Sequence, residues 1–231
     1  MSTQITHMDH SAGYGLDQQE RHRVLRNTYW LLALSLVPTV LGAWLGVATG
    51  MMQAMRGVLG LLVFVGGAFG FMFAIEKTKN SGNGVAVLLA FTFFMGLMLS
   101  NLIGRVLGFQ NGAELIMTAF AGTAGVFFIM ASLASVIKRD LSGMGQWLFV
   151  GALVLMVGAV INIFVGSSTG VMVISVAAIG IFSAYMLYDI KSVLDGGETN
   201  YISATLRLYL DLFNVFQSLL ALLGIFGGNN D

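Results

Sequence analysis

Seven stretches of apolar residues punctuate this chain, at about residues 28–49, 57–75, 84–104, 114–137, 145–166, 170–190 and 203–226. Each is close to the roughly 20 residues an α-helix needs to cross the hydrocarbon core of a bilayer. The fifth and sixth share one uncharged run from Leu141 to Tyr188, too long for a single crossing. Gly166-Ser-Ser-Thr-Gly170 supplies the break, because Gly and Ser end helices and form tight turns. The remaining connections are short, so the pattern predicts one all-α, polytopic membrane domain over residues 28–226. A flexible polar tail, 1–27, precedes it, and a short tail, 227–231, follows.

The last stretch breaks the apolar pattern in an ordered way. Ser203, Arg207, Asp211, Asn214 and Ser218 follow steps of four, four, three and four, which on a helix makes one polar stripe. A charged side chain at mid-membrane costs roughly 2.5–3.5 kcal/mol on the insertion scale, so the stripe should face protein or water. That places the seventh helix inside the bundle.

Composition agrees with a bilayer as the solvent. The hydrophobic fraction is 57% and charged residues make up only 10%, too few to cover a soluble domain. Net charge is zero and no basic stripe occurs, so nothing points to nucleic acid. Cysteine is absent, which excludes disulfides and thiolate chemistry. The single proline, Pro38, reads as a tolerated kink in the first span. No apolar h-region follows the start, so a cleavable signal peptide is not expected.

Lys and Arg set the expected orientation. With the N-terminus inside, the cytoplasmic flanks hold Arg21, Arg23, Arg26, Lys77, Lys79, Lys138, Arg139 and Lys191, against Arg56 and Arg105 opposite. That bias predicts a cytoplasmic N-terminus. Tyr29, Trp30 and Trp147 fall at span starts, where amphipathic rings favour the interface. An odd number of crossings puts residues 227–231 outside, unless the last segment is re-entrant. Gly42/Gly46, Gly66/Gly70 and Gly104/Gly108 have the spacing of close helix packing.

Enzyme templates fail quickly: there is no HExxH or P-loop, and no histidine beyond residue 22. His7, Met8, Asp9 and His10 are metal-ligand types, but one short cluster in a polar tail is a weak signal and leaves any metal unknown. No cofactor is implied. Asp189 and Asp211 are the most informative residues. Asp189 reads either as an interfacial anchor beside Lys191 or as a functional acid near Tyr185 and Tyr188. Asp211 reads either as self-neutralised by Arg207 four residues before it, or as part of an ion or proton path. At 1.5 Å per residue Asp211 lies roughly 15 Å inside its span, whereas Asp189 is near its helix end. The two meet only if the seventh helix begins shallowly or the sixth runs past Lys191.

Leu25-Arg-Asn-Thr-Tyr29, Tyr188-Asp189, Gly196-Gly-Glu-Thr-Asn-Tyr-Ile202 and Leu208-Tyr-Leu-Asp-Leu-Phe-Asn214 resemble the Bax inhibitor-1 family, and the first and third its bacterial YccA branch especially. The resemblance covers essentially the whole chain. It implies seven helices with the last wrapped by the other six, in a bacterial inner membrane. In calcium-leak members two aspartates form a pH-sensing pair that shares a proton, and the matching positions are Asp189 and Asp211. The YccA branch implies instead modulation of a membrane-anchored AAA protease, with that protease as partner. The leak pattern is incomplete here: Lys77 is the nearest candidate for the family's basic partner, and Ala221-Leu-Leu-Gly224 stands where a gating acid is expected.

Three readings follow. The first is a protease modulator with an Asp189/Asp211 sensor, supported by Arg207, Asn214 and Ser218. The second is an acid-sensitive leak that passes calcium or another cation as its transported species. The third, an intramembrane aspartyl protease, ranks far lower, because Asp189 lacks the flanking signature.

Overall fold

The computed structural model describes residues 10–50 and 57–227, with side chains from residue 18 onward. Among these residues it consists of seven helices, each long and apolar enough to cross a membrane: α1 His10–Thr49, α2 Val58–Thr78, α3 Gly84–Leu107, α4 Gly112–Val136, α5 Met144–Val165, α6 Ser168–Leu194 and α7 Tyr201–Gly227. The all-α polytopic membrane architecture read from the apolar pattern is therefore present.

Two helices are longer than the pattern predicts, both at polar ends. α1 begins at His10 rather than near residue 28, so much of the expected tail is a helical extension of the first span. α6 runs to Leu194 rather than ending at residue 190, because Val193 is buried and continues the inward face past Lys191. The predicted break is where expected. Gly166 closes α5 in the left-handed region at φ +69°, and Ser167 Oγ caps α6 by accepting from Gly170 N at 3.1 Å. α7 is one continuous helix of 27 residues, about 40 Å at 1.5 Å per residue, enough to cross rather than turn back.

α7 is the hub. It packs against α6, α4, α1 and α3, and touches α2. The expected wrap by six helices is thus carried by five, because α5 packs substantially only on α6. α5 turns Trp147, Phe149, Val154 and Phe164 outward, the surface of a helix facing lipid.

Between helices in lipid there is no hydrophobic drive, so close contact and polar satisfaction decide the packing. The tightest crossing joins α1 and α3. A side chain at Gly42 would collide with the Phe93 carbonyl oxygen, and one at Gly96 with that of Thr39. Gly42/Gly46 is therefore a true close-packing pair. Gly66/Gly70 faces open space, and Gly104/Gly108 meets no neighbouring helix more tightly than ordinary contact, so the same spacing carries no crossing there. Buried hydroxyls return to their own helices: Ser35 donates to Leu32 O at 2.7 Å and Thr123 to Ala119 O at 2.7 Å. Each such bond removes a polar group that lipid could not satisfy.

Candidate functional site

The corner between α6 and α7 is built by its backbone. Gly196 adopts φ +81°, a left-handed conformation that glycine takes without strain, and its N–H donates to Val193 O at 3.2 Å. Gly197 N and Glu198 N both donate to Ser192 O, at 2.8 and 3.2 Å, which finishes α6. Asn200 then starts α7: its Oδ1 accepts from Ile202 N at 2.9 Å and Ser203 N at 3.1 Å. Its Nδ2 donates to Lys79 O at 3.2 Å and Asn80 Oδ1 at 2.9 Å, tying the same corner to the α2–α3 turn.

Below this corner the two helices bring Asp189 and Asp211 together. Their carboxyl groups lie within hydrogen-bonding reach of each other, 7% and 4% exposed. The extension of α6 to Leu194 makes this contact attainable. It sets Asp189 about five residues, or ~7.5 Å, inside its helix end, while Asp211 is about 15 Å from the start of α7. α7 therefore starts farther out along the bundle than α6 ends. Among the described residues no donor reaches Asp211 Oδ2. Two ionised carboxylates are acceptors only, so this contact becomes a hydrogen bond when one of them carries a proton. Chemically the site can hold one proton between two acids.

The surrounding groups sort themselves differently from the sequence pattern. Arg207 acts electrostatically on both carboxyls, but its ion pair is with Glu198, Nη2 to Oε2 at 3.2 Å, rather than with Asp211. Glu198 Oε1 also accepts from Asn200 N at 2.9 Å. Tyr185, one turn before Asp189, lies in the field of both acids. Tyr188 instead sits against Gly145 at the start of α5. Lys77 is exposed, with its ammonium 4.5 Å from the Phe73 ring centroid, and is occupied there by a cation–π contact. Asn214 donates to Leu210 O of its own helix at 2.8 Å, and Ser218 is buried lower on the same face. The His7–His10 group lies outside the described side chains; among the described residues no cluster of three metal-ligand types forms.

Sequence reasoning missed two parts of this site. Glu198 and Asn200 stood only inside a family motif, although Asn one residue before an apolar run is a capping signal. Tyr209 is 1% exposed, with its hydroxyl 2.9 Å from Thr39 Oγ1 and 3.4 Å from Thr92 O. It joins α7 to α1 and α3 half a turn from Asp211. Nothing in spacing distinguishes it from the apolar residues beside it.

A family model described as inhibitor of apoptosis-promoting Bax1 matches residues 21–228. A Vibrio cholerae protein named only as an uncharacterized membrane protein is 36% identical over 212 residues, 91% of this chain and 93% of its own. An Escherichia coli K12 protein named modulator of FtsH protease YccA is 37% identical over 203 residues, 88% of this chain and 90% of its own. A second Escherichia coli relative, with the same identity and coverage, is named inner membrane protein YccA.

Proposed function

The chain belongs to the Bax inhibitor-1 family, and from that premise we propose that it modulates a membrane-anchored AAA protease under control of a proton held between Asp189 and Asp211. It does so from the bacterial inner membrane, with its N-terminus cytoplasmic. The protease half rests on the full-length similarity to a relative named as such a modulator. The proton half rests on one observation: the buried Asp211 carboxyl lies beside that of Asp189, and no donor among the described residues reaches its Oδ2. With the proton present, the two acids are bonded and hold α6 against α7. Without it, like charges meet in a poorly screened interior and favour a second packing of the central helix.

The test is paired. The protein should co-purify with the AAA protease from native membranes, and its deletion should change the turnover of a membrane substrate. Asp211→Asn should keep binding but remove any pH dependence of that turnover. Absence of co-purification together with unchanged turnover would refute the protease reading.

One observation favours a second reading, an acid-sensitive calcium or cation leak. An unpartnered carboxylate oxygen inside a helix bundle is the kind of group that marks ion pathways. Flux through reconstituted liposomes, compared across pH for the wild type and Asp211→Asn, tests it. Flux indifferent to both variables sinks it.

A further inference from the structure

Arg207 is placed between two claims on its charge. Its guanidinium is half-exposed and pairs with Glu198, yet it also acts on Asp189 and Asp211 from one turn above the second. Glu198 in turn holds the Asn200 backbone, and Asn200 both caps α7 and anchors the α2–α3 turn. The buried pair thus reaches Arg207 through its charge, and contacts run on from Arg207 through Glu198 to the anchor at the start of α7.

We propose that Glu198 competes with the Asp189/Asp211 pair for the Arg207 guanidinium, so that the charge of the buried pair sets how firmly the start of α7 is anchored. This rests on the reading of the pair as a proton site. When the pair holds its proton it carries one negative charge, and Arg207 remains with Glu198 as observed. When the proton leaves, the pair carries two charges in a poorly screened interior, whereas the Glu198 pair is partly solvated and screened. The long, half-exposed Arg207 side chain then turns inward. Glu198 loses its counter-charge, and its grip on Asn200 weakens.

The other charged groups near this corner are already engaged. Lys191 on α6 bonds Asp195 at 2.7 Å, Lys79 pairs with Glu76, and Lys77 on α2 is held over Phe73. From α1, Arg21 lies over Gly196. His22, also on α1, lines a cavity with Arg21 and Leu194, and on α6 Tyr185 lies towards the acids and Tyr188 against α5. Arg207 is therefore the cation poised to answer a change at the pair.

The experiment is a double-mutant cycle between Arg207→Gln and Glu198→Gln, read as the unfolding equilibrium in lipid-containing micelles on both sides of the pair's titration. Infrared spectra of the carboxyl groups report that titration in the same samples. On the acid side, a coupling of about two- to fivefold in the unfolding constant is expected, as for other exposed ion pairs. On the alkaline side it should disappear, and in an Asp211→Asn background it should persist at both. Amide exchange of the wild type at residues 202–205, corrected for the intrinsic effect of pH, needs no variant and should rise with loss of the proton. If the infrared shows the pair titrating while coupling and exchange stay constant, the competition is wrong and the proton site stands. If the pair does not titrate, the proton reading fails and the competition falls with it.

Discussion

Removing the Tyr209 hydroxyl by Tyr209→Phe probes how α7 is fixed beside the acid pair. Thr39 Oγ1 already gives its one hydrogen to Ser35 O at 2.8 Å, so the Tyr209 hydroxyl is the donor across the 2.9 Å contact between them. Its distance to Thr92 O, 3.4 Å, leaves that carbonyl a minor acceptor. The ring keeps its place against Phe91 and Phe213, so Phe loses the hydrogen bond and little packing. Thr39→Val removes the partner hydroxyl at nearly constant shape, and the lost bond to Ser35 O cancels in a double-mutant cycle. Interhelical hydrogen bonds in membranes average about 0.6 kcal/mol by such cycles, with a maximum near 1.7. Tyr209 is buried, Thr39 is half-buried and the contact is short, which argues for a coupling of about 1 kcal/mol, in the upper part of that range. The assay is reversible unfolding in mixed micelles for wild type, both single variants and the double. A coupling indistinguishable from zero, within the ~0.3–0.5 kcal/mol scatter of additive pairs, would refute the claim that this bond ties α7 to α1.

Three further outcomes follow from particular contacts. Gly42→Ala, which forces a methyl group against the Phe93 carbonyl, should cost about 1–3 kcal/mol in the same unfolding assay, while Gly66→Ala, facing open space, should be neutral or slightly stabilising. Asn200→Ala should cost about 1 kcal/mol through the lost cap and raise amide exchange at Ile202 and Ser203 before any other part of α7. In the connection between α4 and α5, the Ser142 N–H and hydroxyl both donate to Asp140 and hold its carboxyl below the ordinary value. Because the folded value is depressed, the bonds are intact at neutral pH and are lost as pH falls below about 4; Ser142 amide exchange should show that acid step, and Asp140→Ala should abolish it.

The spans and the inner position of α7 were legible because lipid imposes a simple rule: apolar runs of fixed length, and charge only where protein covers it. The ends of α1 and α6 were not. Residues 10–27 and Lys191 are polar, and local polarity cannot reveal that Val193 still has a buried face to fill. The meeting of Asp189 with Asp211 depended on that hidden turn of helix. Arg207 shows a second limit. Four residues before Asp211 it invites a local pair, but Glu198, brought over it by the Gly196 turn, takes the contact instead. Gly42/Gly46 and Gly66/Gly70 show a third: identical spacing, with a partner helix at only one of them.

The proton proposed between Asp189 and Asp211 has a direct spectroscopic signature. Infrared difference spectroscopy of the protein in lipid, wild type against Asp189→Asn and Asp211→Asn, measures it directly. A protonated-carboxyl band is expected in the wild type, titrating with pH and lost in both variants. A wild-type spectrum with no protonated carboxyl assignable to either residue at any pH where the fold persists would contradict it.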